Sequence, residues 1–416
     1  MLSSATSDPA MRGAWASFAV FAVTYFLSAL LRAVTATLAP GFSVEFGLGA
    51  AELGLLAGAY FLGFSLLQLP LGSALDRWGP RRVEVGLVVL AVVGCLAFAA
   101  AQSFAQMVLA RMLIGMGVAA CLMAPLTYFR QHFSHGIQLR FNAWMLMTGS
   151  LGMVASTLPV QWLLPVWGWR GLFWGLGVSL MLAVPALWMG LGRDAAGADG
   201  GNGRARYADV VRHPEFIRLA PLGMALYGGL IAMQALWIGP WLTEVCGWSP
   251  ASASEGLFHV NSAMLVAFLS WGGVMPALMR RGVSVDALLT WGVPVSLLLL
   301  AGIVFGGRNA AALHWLVWCV STSVVSLAQP HVALAFPTHM AGRALSAYNL
   351  AIFSGVFLLQ WGIGALVDAL RGAGLESANA YRTAIGAFWL LALVSYAWFL
   401  AAPRARVHNG DNKVLR

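Results

Sequence analysis

Apolar residues fall along this chain in long blocks separated by short polar connections. The blocks predict spans at 14–38, 51–74, 83–103, 105–129, 141–164, 171–191, 219–242, 256–279, 284–305, 310–335, 344–368 and 383–402. About 20 apolar residues cross a hydrocarbon core of roughly 30 Å as a helix. Backbone groups in lipid must be satisfied internally, and the blocks are far too long for barrel strands. The predicted fold class is an all-α membrane protein with twelve transmembrane helices. Residues 192–218 are rich in Gly, Ala and charge, a linker composition. They separate an N-terminal six-helix bundle (1–191) from a C-terminal one (219–402), with a tail at 403–416. "LGSALDRWGPRR" after the second span is echoed by "WGGVMPALMRRG" after the eighth, about 200 residues later. Internal duplication of this type marks secondary transporters.

Composition agrees. The 416 residues are 60% hydrophobic and only 9% charged, far below the roughly 25% charged residues of soluble domains. The net charge of +9 invites a nucleic-acid reading, but its distribution explains it otherwise. With the N-terminus inside, 18 of the 24 Lys and Arg fall on the inner side and 4 on the outer, Arg32 and Arg111 lying within spans. Such a bias fixes both termini in the cytoplasm, and the expected location is a bacterial inner membrane. No nucleic-acid partner is expected; the bilayer is the partner, and the chain is expected to act as a monomer. Three of the four cysteines lie in apolar segments, so no disulfide framework is implied. The first apolar stretch is too long for a signal sequence and reads as a retained span.

Between the second and third spans, "GSALDRWGPRR" resembles the signature of the major facilitator superfamily, matched by Gly72, Asp76, Arg77, Gly79, Arg81 and Arg82. "LARMLIGMGVAA" in the fourth span resembles the family's second signature at Arg111, Gly115 and Gly117, and "GWRGLF" (168–173) a common join of its fifth and sixth helices. The resemblance implies two pseudo-symmetric six-helix bundles rocking about a central cavity, which gives alternating access. It also implies that the first motif is a gate. Glycine there permits a tight turn, and Asp76 among arginines can form a charge network that holds one state closed. The fifth span, "GSLGMVASTLPVQWLL", lacks the Gly-Pro-x-x-Gly-Gly element of the family's drug antiporters, which argues against that assignment.

Candidate chemistry lies in the membrane. Arg32 and Arg111 each cost roughly 2.5–3.5 kcal/mol near a helix centre, so they should face protein or water rather than lipid. Each sits about six residues from the outer end of its predicted span. The acids Glu45, Glu52, Glu84, Asp286 and Asp368 lie at span ends or in loops. Glu52 is the one placed to pair with Arg32. Otherwise the cavity is electropositive and the missing counter-ion is the substrate, because guanidinium binds carboxylate or phosphate through paired hydrogen bonds. Against this, Arg111 belongs to a family-wide motif, and Arg32 can snorkel outward.

Gln234, Trp237, Asn261 and Gln329 are further substrate-site candidates, although interhelical bonding is the common use of membrane amides. Gln68, Asn349 and Gln360 rank with them. His259 and His314 are candidates for carrying a coupling proton. His132 and His135 have metal-like spacing without a further ligand set, and no metal or cofactor is expected. Met112, Met116, Met264 and His259 give a copper reading less support than filler use of Met.

No phosphate-binding loop is present, so ATP drive has no support. No catalytic constellation suggests an enzyme. The sequence therefore predicts a secondary transporter of a small anionic organic solute, coupled to protons. The alternatives are an exporter of a drug, siderophore or other metabolite, then copper transport, then a non-transporting sensor.

Overall fold

The computed structural model describes residues 9–192 and 207–403. Most of the linker (193–206) and the tail (404–416) lie outside the described residues. Twelve helical passes run in order. They are α1 (Pro9–Phe46), α2 (Ala50–Leu66 and Gln68–Trp78), α3 (Pro80–Ala99), α4 (Phe104–Gly117 and Met123–His132), α5 (His135–Ala155, resumed over 158–167) and α6 (169–190). After a short helix, Tyr207–Val211, come α7 (Pro214–Val245), α8 (Pro250–Arg280), α9 (Val285–Gly306), α10 (Ala312–Leu334), α11 (Thr338–Gly372) and α12 (Ser377–Ala401).

Among the described residues nine single helices are long and apolar enough to cross a membrane, and α2 makes a tenth when its two pieces are joined. The other two passes are α4 and α5, both broken. The breaks in α2 and α5 have local causes. α2 bends by 45° at Leu67, where Pro70 in the next turn removes an N–H and crowds the preceding carbonyls. α5 is interrupted at Ser156–Thr157 just before Pro159, which suits the first turn of a new helix segment. Gly168, at φ 60°, turns the corner into α6. α7 contains three stretches of π-helix, Gly223–Tyr227, Met233–Trp237 and Trp241–Val245.

Contacts repeat with a period of six helices. In the first half α1 packs on α5, α2 on α4, and α3 on α4 and α6. In the second half α7 packs on α11, α8 on α10, and α9 on α10 and α12. Across the halves α2 meets α11, α8 meets α5, and α1 meets α7. This is the pseudo-symmetric pair of six-helix bundles expected from the sequence. With no hydrophobic force between helices in lipid, close backbone approach holds such contacts. A Cβ on Gly63 of α2 would meet the Met112 carbonyl of α4, and one on Gly115 of α4 would meet the Tyr60 carbonyl of α2.

Helix ends differ from the predicted spans by more than fraying. α1 continues through Pro40 to Phe46, eight residues past the predicted end. α7 starts at Pro214, so Arg218, expected at the end of the inner linker, is drawn inside and 1% exposed. There it bonds Asp286 of α9 at 3.1 Å, Glu215 at 3.3 Å and the Phe399 carbonyl of α12 at 3.2 Å.

Candidate functional site

The end bearing the arginine-rich connections is called inner below. Because α1 runs to Phe46, Arg32 lies fourteen residues from the helix end, about 21 Å at 1.5 Å per residue. It sits deeper than the span boundaries predicted. Arg111, seven residues into α4, reaches the same level.

Arg111 is 1% exposed and spent on the protein. Its Nη1 donates to the Leu31 carbonyl at 2.9 Å and its Nη2 to Thr35 Oγ1, both on α1. Its guanidinium lies 5.3 Å from the Tyr60 ring centroid, a cation–π contact. Tyr60 in turn donates to the Ser28 carbonyl at 3.2 Å. Arg111 thus ties α1, α2 and α4 together beside Arg32.

Arg32 is anchored only within its own helix, by a side-chain hydrogen bond with Tyr25. Its side chain lies among the phenols of Tyr25, Tyr60 and Tyr227, from α1, α2 and α7, and its buried Nε has no partner. It keeps some accessible surface although it lies deep in the bundle, as a side chain facing an internal space does. Glu52 is not its partner: that carboxylate accepts from the backbone N–H of Gly49 at 2.7 Å. Glu45 pairs with Arg170 at 2.5 Å and accepts from Trp169 Nε1 at 2.6 Å. No described carboxylate neutralises Arg32 or Arg111. The three tyrosines carry no sequence signal beyond the seven-residue spacing of Tyr25 and Arg32, two helical turns on one face.

The other candidates are distributed more widely. Gln234 donates to Asn261 at 3.2 Å and Gln329 to Asn349 at 2.5 Å, each pair linking two helices of the second half. Trp237 is fully buried, edge-on to Tyr381, with its indole N–H unbonded. Gln360 is buried with neither amide atom bonded. His259 and His314 are exposed and are not among the groups around the two arginines. In the loop motif Gly79 takes φ 82°, which favours glycine, while Gly72 faces Ser346 of α11. Asp76 and Arg77 are exposed. Arg81 reaches away to the Leu191 carbonyl at 3.3 Å and lies 4.2 Å from the Trp188 ring centroid.

Outward of Arg32, a cavity of about 350 Å³ separates the halves, lined by Ala36, Pro40, Leu53, Pro240 and Tyr381 among others. Its rim is fastened. Asp368 of α11 accepts from the N–H groups of Ala50 and Ala51 at 3.1 and 2.7 Å, so one half's carboxylate caps the other half's helix. A carboxylate on a helix N-terminus adds roughly 1–2 kcal/mol in a partly buried setting. Asp368→Ala is therefore expected to shift the equilibrium toward outer opening by about 5–30-fold. Spin-label distances across the outer ends measure this, and an unchanged distribution would remove the latch.

The family model described as Major Facilitator Superfamily matches residues 21–360. Among curated relatives, a 4-hydroxybenzoate transporter of Pseudomonas putida is 28% identical over 178 residues, 42% of this chain and 40% of that one. A "Probable L-galactonate transporter" of Escherichia coli (strain K12) is 31% identical over 144 residues, 34% of this chain and 31% of the relative. The aligned stretch thus spans less than half the length of these relatives. The solved structure of a bacterial homologue of the human lysosomal transporter Spinster superposes with a TM-score of 0.75 at 17% identity, covering 94% of this chain and 97% of that one. The chain belongs to the major facilitator superfamily.

Proposed function

We propose that this transporter moves a small organic anion across a bacterial inner membrane by alternating access, coupled to protons and acting as a monomer with both termini in the cytoplasm. The observation that carries the reading is Arg32, a guanidinium deep in the bundle, ringed by phenols and lacking a carboxylate. A buried charge without a partner is costly, and an anionic passenger removes that cost while it is bound. Arg32 is assigned to the substrate carboxylate, with Arg111 holding α1 in place. Gln234, Asn261, Trp237 and Gln329 are kept as second-half contacts, and the Gly72–Arg82 loop as the inner gate. The names of the two curated relatives, for 4-hydroxybenzoate and L-galactonate, both denote carboxylates, which supports the charge preference. Aromatic side chains one turn inward of Tyr60, with Phe64 and Phe353 at 4.5 Å between centroids, suit a ring-bearing acid.

The test is counterflow in liposomes containing the purified protein, with labelled 4-hydroxybenzoate, L-galactonate and D-glucose as probes. Exchange of one or both acids and not of the sugar is expected. Sugar exchange without acid exchange would overturn the assignment.

A further inference from the structure

Glu84 is the acid whose setting departs furthest from its place in the sequence. Near the start of a span, it was expected at the membrane edge, yet it is 0% exposed in α3. The other acids considered above find a cation or a helix end. Glu84 finds a hydroxyl: Thr24 Oγ1 of α1 lies 2.7 Å from Oε1, and Oε2 has no partner. Thr24 Oγ1 also lies 2.9 Å from the Phe21 carbonyl.

These two contacts count protons. A threonine hydroxyl has one hydrogen to give, and a carbonyl has none. Both contacts are hydrogen bonds together only when Glu84 supplies the second hydrogen. The carboxylic acid then donates to Thr24, and Thr24 donates to Phe21. When the proton leaves, Thr24 must turn its hydrogen to the carboxylate and give up Phe21, while Oε2 stays buried and bare. An unpaired buried charge is strongly unfavourable. The charged form therefore favours any movement that admits water between α1 and α3.

Among the described residues Glu84 makes no ion pair within 4 Å. α4 contributes the Cys121 thiol, next to the break between its two pieces. α6 from residue 171 to 190 contains no titratable side chain. α1 contributes Thr24, with Tyr25 and Arg32 belonging to the arginine site further out. On α3 itself, Arg81 is directed to the Leu191 carbonyl. Thr24 precedes Arg32 by eight residues, about 12 Å along one helix, so a shift of α1 at Thr24 is felt at the arginine.

We propose that Glu84 is the proton-binding site of this transporter, and that loading and unloading it opens and closes the α1–α3 contact at the inner end. This rests on the reading of the chain as proton-coupled, and it moves the coupling group from the exposed histidines to this carboxyl.

Two measurements on protein in liposomes test it without any substrate. The first is the infrared band of a protonated carboxylic acid, followed as pH rises. The second is the distance between spin labels at exposed inner-end positions 130 and 280, across the same pH range. Glu84→Gln is the variant, because its amide reproduces the shape and donor of the neutral acid. In the wild type the band should vanish with rising pH while the inner-end distances lengthen. In Glu84→Gln the band should be missing and the distances fixed. Thr24→Val, which keeps the carboxyl, should move both transitions to a different pH by the same amount. A band that survives Glu84→Gln, or distances that respond to pH equally in both proteins, would overturn the proposal. Failure of the proton-coupled reading shows separately, as solute flux in the same liposomes that carries no protons while the Glu84 band and the distances still change together.

Discussion

Gly115→Val is expected to lower the thermal stability of the protein markedly. The added Cβ meets the Tyr60 carbonyl, a backbone atom of a facing helix that cannot rotate aside. Overpacking of a tight interior typically costs about 1–3 kcal/mol, and here relief requires α2 and α4 to separate. Separation would also loosen Tyr60 from Ser28 and lift Arg111 off the Tyr60 ring. Against a total stability of roughly 5–15 kcal/mol that is a large fraction. Fluorescence-detected size exclusion after heating measures it. Gly63→Val, the reciprocal contact, should behave alike, whereas Gly86→Ala, with nothing within 4 Å of its Cβ, should match the wild type. A Gly115→Val protein as stable as the wild type would mean that these helices stand further apart than described.

The second large effect separates the two arginines. Arg32→Gln is expected to abolish carboxylate binding with little change in thermal stability, since the guanidinium is held by no ion pair among the described residues, its Nε is unbonded and its hydrogen bond to Tyr25 stays within one helix. Truncating one side of a buried hydrogen-bonded charge pair costs about 2–5 kcal/mol, ~30- to several-thousand-fold in affinity. Arg111→Gln should instead lower thermal stability first, because it strips two donors from α1 and leaves buried acceptors without them, at about 1–3 kcal/mol for each unsatisfied group. Measured together, a binding defect in Arg32→Gln and a melting defect in Arg111→Gln support the division. The reverse pattern would exchange their roles, and normal binding in both would remove the anion site.

The architecture was legible because membrane helices announce themselves by length and apolarity. The broken passes were visible in part: Pro70 and Pro159 stand beside the bends in α2 and α5. Span ends were less legible. Pro40 suggests a stop, but a proline near the outer end of α1 leaves room for one further turn and more, and the depth of Arg32 changed with it. The two arginines could be picked out singly as costly residues. The ring of Tyr25, Tyr60 and Tyr227 could not, since it is assembled from helices far apart in the chain and tyrosine in a membrane is ambiguous between interior and interface. Glu84 was misplaced for a similar reason. Its position near a span end suggests water, whereas α1, α4 and α6 close over it.

The π-helical stretches of α7 bear on the chain's history as well as its shape. A π turn is an α-helix that has taken in one residue too many without disturbing the turns on either side. Loss of a residue in 233–237 would restore an ordinary turn and leave Trp241 facing Trp315 as before. The same loss early in α1 would rotate everything beyond it by about 100° and carry Arg32 away from Tyr60 and Tyr227. The seventh helix is thus where this sequence has room to lengthen or shorten, and the first is where it has none.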